Sequence, residues 1–313
     1  MGYPEIHVAL DEVLARLDDE LTPKTFDDTP PGPLFHYTDA AGFRGIFTSK
    51  NIWATDFRYL NDTVEMRIGE RTFREVAVEL AESAVTEQSR FILRRFIEYH
   101  DRESLSKVLP PCVASFSLDG DLLSQWRAYA AGGAGYSIGF SAFPLPTGPA
   151  EKAQVGLGLI RCEYDEARFR LVVREKLLTL GARYEATMKE FARDRDSDGQ
   201  IGGLFIALAL RHAGALVPRL KHRAFREEKE WRLMVLPRAD RLQSVMEYRS
   251  STMGLVPYIP IQLASETERL PVTRVYVGPT QEHERGVLAA RGFLAGLGYD
   301  PDIVVSSDIP FRG

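Results

Sequence analysis

Strand-type apolar runs stand at both ends of this 313-residue chain, and long helical patterns fill the stretches between them. A sheet drawn from such distant segments, interleaved with helices, places the chain in the α+β class. The runs are 34–37 (LFHY), 52–55 (IWAT), 112–119 (CVASFSLD), 135–140 (GYSIGF), 274–279 (RVYVGP) and 302–307 (DIVVSS). A helix entered at Thr38 or Asp39 separates the first two, and a helix over 281–297 separates the last two. LLSQWRAYA (122–130) reads as a short helix. Residues 63–107 read as two helices with a polar break near Thr86 to Ser89, and 165–193 and 201–224 as two more. Ahead of all this, Ile6, Leu10, Val13, Leu14, Leu17 and Leu21 recur at helical spacing, and TPKTFDDTPPGP (22–33) is a connector. The expected organisation is an N-terminal helix and connector over 1–33, then one α+β domain over 34–313. Helical segments 63–107 and 165–224 are its insertions.

FREEKEWRLMV (225–235) gathers charge around one tryptophan and then turns apolar. Read as a strand, it puts Glu228, Glu230, Arg232 and Met234 on one face and Lys229, Trp231, Leu233 and Val235 on the other. Two carboxylates on one side of a strand anchored by its other side can serve a site. They can also simply pair with Arg226 or Arg232, and exposed pairs contribute only about 0–1 kcal/mol. In LFHYT the same alternation sets Leu34, His36 and Thr38 against Phe35 and Tyr37. A lone histidine such as His36 is by default structural.

Composition narrows the function. A net charge of −5 and a pI near 5.8 give no general field for nucleic acid or an anionic membrane. PRLKHRAFR (218–226) is the local exception. Its Arg219, Lys221, Arg223 and Arg226 suit either a helix C-terminus or the phosphates of a nucleotide or nucleic acid. Cys112 and Cys162 have no metal spacing and are too few for a disulfide framework, so reduced thiols are expected. Acids interrupt the apolar positions of the N-terminal stretch, which argues against a signal peptide. No apolar run is expected to reach the roughly 20 residues of a membrane span. The expected compartment is the cytoplasm, with no membrane partner.

DRDSDGQIGGLF (194–205) copies the first half of a calcium loop with Asp194, Asp196, Asp198 and Gly199, but Phe205 stands where the bidentate glutamate belongs. GGAG (132–135) lacks the Lys-Ser/Thr of a phosphate loop. No H-E-x-x-H pattern occurs, and GYSIGF reads as a strand rather than as a G-x-S-x-G elbow, so no metal is expected and serine-nucleophile chemistry has no support.

The ordered segments FHYTDAAGFRGIFTSKNIWATDFRYLND, CVASFS, LSQWRAYAAGGAGYSIGF, EKEWRLMV and SSDIPFR resemble a bacterial family catalogued as domain of unknown function 2971. More distantly, the HYT–helix–strand opening resembles ADP-ribosyltransferases, including their DNA-modifying toxin branch. That resemblance implies a split β-sheet core around a cleft and NAD as the substrate. ADP-ribose would pass to a nucleic-acid or protein acceptor, in a toxin or phage-defence setting. It also implies a first-strand residue, His36, a middle residue, Ser115, Ser117 or Tyr59, and a late carboxylate from Glu228-Lys229-Glu230. Breaking the nicotinamide–ribose bond builds oxocarbenium character, which Glu230 would stabilise. His36 would position the ribose and Glu228 would orient or deprotonate the acceptor. Tyr37, Tyr59 or Tyr136 would stack on nicotinamide, Thr38 would join the NAD site, and Arg58 and Arg127 would meet the pyrophosphate. NAD hydrolysis, or a non-enzymatic nucleotide- or nucleic-acid-binding module built on 218–226 and the Tyr/Trp-rich strands, are the alternatives.

Overall fold

The computed structural model describes residues 3–21, 28–60, 63–102, 111–129, 135–141, 156–191, 198–236, 242–251 and 254–310. In chain order the elements open with α1 (Tyr3–Leu21), β1 (Leu34–Thr38), α2 (Ala40–Ser49) and β2 (Asn51–Asp56). There follow α3 (Thr63–Ser83), α4 (Glu87–Arg102), β3 (Cys112–Ser117), α5 (Leu123–Tyr129), β4 (Tyr136–Phe140) and β5 (Gly156–Arg161). Next are α6 (Glu166–Phe191), α7 (Asp198–Leu216), β6 (Glu230–Leu236), α8 (Leu242–Val245), β7 (Glu247–Ser251) and β8 (Gly254–Gln262). The chain closes with β9 (Val272–Val277), α9 (His283–Gly296) and β10 (Val304–Ser306). Two compact units result: 1–27 with 60–111 and 163–222, and 28–59 with 112–162 and 223–313. The helical segments expected as insertions thus fall in one unit together with α1.

That helical unit is held by aromatic packing and by local capping. Phe73 packs edge-on to Phe169, and Tyr184 to Phe205, all four buried. The polar break falls where the sequence places it. α3 stops at Ser83, Thr86 Oγ1 donates to Glu185 Oε2 at 2.8 Å, and the Ser89 N–H returns to Thr86 Oγ1. α7 ends sooner than expected because Pro218 cannot continue it, and a 3-10 turn over Val217–Arg219 follows. Contrary to expectation, Gly199–Arg219 is long and apolar enough to cross a membrane, with a mean hydropathy of 1.5. Two thirds of that window is buried inside the protein (67%), which is how a core helix behaves.

The second unit carries an open mixed sheet in the order β10-β9-β4-β1-β3-β2-β8-β7, with β6 on β3 and β5 on β6. β9 and β10 run parallel and the other recorded pairs are antiparallel. One edge of β3 pairs with β6 from Cys112 to Ser117. The other edge is shared: Ser117 pairs with Phe35 of β1, whereas Val113 and Cys112 pair with Thr55 and Asp56 of β2. The sheet therefore forks at β3. Strands β5, β7 and β8 are additional to those the sequence predicts. Gly254 sits at a φ of 106°, a left-handed conformation that glycine adopts without steric cost, where β8 begins.

One face of this sheet is the core. Leu34, Phe116, Ile138, Trp231, Leu233 and Val275 are buried there with Phe43, Ile46 and Phe47 of α2 and Ala290 and Leu294 of α9. Asp39 caps α2 by accepting the Gly42 N–H at 2.7 Å, and Lys50 ends it in a left-handed conformation. Truncating Leu294, which is fully buried, removes one of the contacts that hold α9 on the sheet. Leu294→Ala is expected to cost about 2–5 kcal/mol, read as a lower urea midpoint with unchanged slope.

Candidate functional site

Register assigns the expected site residues to faces. Residues directly opposite in an antiparallel pair share a face. Phe35↔Ser117 and Ser117↔Glu230 therefore put Phe35, Ser117 and Glu230 on one side, and alternation adds Tyr37, Ser115 and Arg232. His36, Phe116 and Trp231 lie on the other side, in the core layer, joined there by Thr38 and Tyr136 through the β1–β4 pairing. His36 and Glu230 thus project from opposite faces. The one cleft expected for both does not form from them.

Each expected residue has a definite setting. His36 packs on Phe116 with ring centroids 5.4 Å apart, and its Nδ1 lies 2.9 Å from the Ser115 carbonyl oxygen. A carbonyl only accepts, so Nδ1 carries the hydrogen and Nε2 the lone pair. Burial lowers the His36 pKa below its ordinary 6.5, with the Ser115 bond opposing, and keeps the ring neutral at pH 7. Glu230 is 4% exposed, and both its oxygens are engaged by the wholly buried Arg232: Nε to Oε1 at 2.8 Å and Nη2 to Oε2 at 3.1 Å. Arg232 also lies over the Phe57 ring at 5.3 Å. The two hydrogen bonds form a bidentate, charge-assisted pair within one strand.

Glu228 is not on the strand at all. Residues Arg223–Glu228 form a 3-10 turn, Lys229 takes a φ of 44°, and β6 begins only at Glu230. The left-handed residue breaks the alternation that would have set Glu228 beside Glu230. Instead the Glu228 carbonyl accepts the Ser117 hydroxyl at 2.7 Å, and Ser117 is buried. Arg58 is held by Asp56 through Nε and Nη2, which raises its pKa. Tyr59 and Arg127 are exposed, and Tyr136 stacks on Phe43 at 4.1 Å. Within 218–226, Arg219 and Lys221 are buried, leaving Arg223 and Arg226 at the surface. Burial pushes the Cys112 thiol up to about 12, aided by Asp56, so it stays protonated. Asp194, Asp196 and Gly132 to Ala134 lie outside the described residues, and no metal-type cluster occurs among those described.

Of the expected residues, Tyr37 leads furthest. Its hydroxyl donates to the Asp119 carbonyl at 2.8 Å and accepts the Leu122 N–H at 2.9 Å, and its ring meets Trp126 edge-on. The turn so held presents Asp121, a residue the sequence reading passed over. Asp121 Oδ1 accepts Trp126 Nε1 at 2.7 Å and Ser307 Oγ at 2.5 Å, and Oδ2 accepts the Asp308 N–H at 2.8 Å. Ser307 and Asp308 line a cavity of about 530 Å³ together with Thr280, Gln281, His283 and Ser306. The cavity opens where β9 and β10 end and α9 begins. None of the residues expected from the sequence lines it. The sequence signal for it is the strand–helix–strand pattern 274–307, which brings the carboxyl ends of two parallel strands to the same side as the start of the helix.

A family model described as "Protein of unknown function (DUF2971)" matches residues 125–233, about a third of the chain, and supports that resemblance over those residues. The match begins four residues after Asp121 and ends inside β6. No curated protein matches, and no solved structure matches.

Two outcomes follow. Glu230→Gln is expected to destabilise the fold by about 1–3 kcal/mol, read in the same urea titration, because it removes the charge from one side of a buried bidentate pair. The second concerns pH. An unfolded His36 takes up a proton as pH falls through 6.5, whereas the folded one stays neutral to lower pH, so stability falls on acidification and is complete above 6.5. His36→Gln should therefore lose less stability than wild type between pH 7 and pH 5. His212, whose pKa burial also lowers, titrates alike in both proteins.

Proposed function

We propose that this chain is a nucleotide-binding module. Its site is the cavity at the carboxyl ends of β9 and β10, with NAD as the candidate ligand that the resemblance names. The position of that cavity carries the reading. The carboxyl ends of the parallel pair β9 and β10 lie beside the start of the helix that joins them, and a helix N-terminus offers unsatisfied N–H groups to phosphate. α9 fits this, because Glu282 gives it no side-chain cap. A volume of about 530 Å³ lies within the range of small-molecule sites. The lining suits a nucleotide: hydroxyls at Thr280, Ser306 and Ser307, an amide at Gln281 and a carboxylate at Asp308. No lysine or arginine is among the described lining residues, and the helix N-terminus is the feature there that suits phosphate.

ADP-ribosyl transfer to a protein or nucleic acid, or hydrolysis of NAD, is the second reading. What favours it is the shared sheet face of Tyr37, Ser115, Ser117 and Glu230, and the fork at β3 is in keeping with a split-sheet core. The Glu230–Arg232 pair and the placement of His36 weigh against it.

Calorimetric titration with NAD, ADP-ribose and adenosine 5′-monophosphate tests the module. Binding is expected for wild type and is expected to be lost in Thr280→Trp, which fills the cavity. Incubation with labelled NAD and cell extract is expected to release no nicotinamide and label no macromolecule. Turnover abolished by Glu230→Gln, under conditions where that variant keeps its wild-type circular dichroism, would establish the second reading instead.

A further inference from the structure

We propose that the cavity selects ribonucleotides with a free 2′-hydroxyl, Asp308 being the carboxylate that reads the ribose and Asp121 the residue that positions it. This rests on the reading of the cavity as a nucleotide site.

Asp308 stands two residues beyond the carboxyl end of β10, on the strand neighbouring the one that leads into α9. That is where a parallel-sheet nucleotide site places a carboxylate against the ribose while the phosphate faces the helix N-terminus. A ribose diol offers two donors and a carboxylate offers two acceptors, so the match is chemical as well as positional. The backbone beneath Asp308 is fixed from several directions. Its own N–H goes to Asp121 Oδ2 at 2.8 Å, and the Ser307 hydroxyl goes to Asp121 Oδ1 at 2.5 Å. The Ser307 N–H goes to the Val277 carbonyl at 2.9 Å, and the Ile309 N–H closes back on Ser307 Oγ at 3.1 Å. The Asp308 carboxylate itself is exposed and accepts no hydrogen bond from any described residue. It is an acceptor on a rigid support, with its hydrogen-bonding capacity free for a ligand.

Asp121 does not line the cavity. Its role is to hold Ser307 and Asp308 while Trp126 and the Tyr37-braced turn hold Asp121. Replacement by asparagine keeps the shape but turns one acceptor into a donor that must face an N–H or O–H. The loop 306–309 would then lose a support without any change in the cavity's own side chains.

The decisive experiment compares adenosine 5′-monophosphate, its 2′-deoxy form, NAD and NADP on wild type, Asp308→Asn and Asp121→Asn. On wild type, losing one ribose hydrogen bond should weaken binding roughly tenfold. A 2′-phosphate set against the carboxylate should weaken it about 30-fold or more. Asp308→Asn should weaken NAD roughly tenfold, and NADP should then bind within about threefold of NAD. Asp121→Asn should lose the ribo-over-deoxy preference and shift Trp126 emission, whereas a purely structural role would lower the melting temperature and leave the preference intact. Wild type binding all four ligands alike would overturn the ribose reading and leave the nucleotide site standing. Wild type binding none of them would overturn both. Because the first comparison uses wild type alone, misfolding of either variant would not rescue the proposal.

Discussion

The pairing of β3 with β6 is the constraint on which the sheet unit depends. It runs without interruption from Cys112↔Val235 to Ser117↔Glu230. Side chains alternate with a period of two, so this one register decides which residues face the helices and which do not. Phe116, Trp231 and Leu233 fall on the core side with α2 and α9, and Ser115, Ser117, Glu230 and Arg232 fall on the other. A slip of one residue would set the glutamate among phenylalanines and carry the tryptophan out of the apolar core. The Glu230–Arg232 pair lies on that polar side with both of its charges buried, where an ion pair must be met by hydrogen bonds of good geometry.

From β3 the structure branches toward the cavity. Strand β3 ends at Ser117, and the turn that follows is gripped by the Tyr37 hydroxyl. Asp121 then carries the connection to Ser307 and Asp308 at the far end of the chain. A carboxylate satisfied by three donors is well suited to such a junction, because each bond is charge-assisted and together they leave one geometry. Segments more than a hundred and fifty residues apart in sequence are thereby locked into one wall.

Much of the fold was legible in the sequence. Both helices of 63–107, α6, α9 and strands β1 to β4 occupy the stretches where periodicity set them, and the break at Thr86–Ser89 was marked by its polar residues. Misses came from local chemistry that pattern reading does not weigh. Pro218 cut α7 short, the left-handed Lys229 delayed β6, and the hairpin of β7 and β8 is too weakly alternating to stand out. The apolar content of Gly199–Arg219 was underestimated because scattered charges lie on either side of it.

By itself the sequence determined most of the element types and the alternation in LFHYT and EWRLMV, because these depend on neighbours a few residues apart. It did not determine that His36 and Glu230 part company across the sheet. That depends on which strand lies between β1 and β6, and the parity of two registers is a property of paired strands. Nor did it show Asp121, whose partners come from opposite ends of the chain. The cavity lies where the parallel strands β9 and β10 end, with α9 crossing between them. Only tertiary structure brings those ends together.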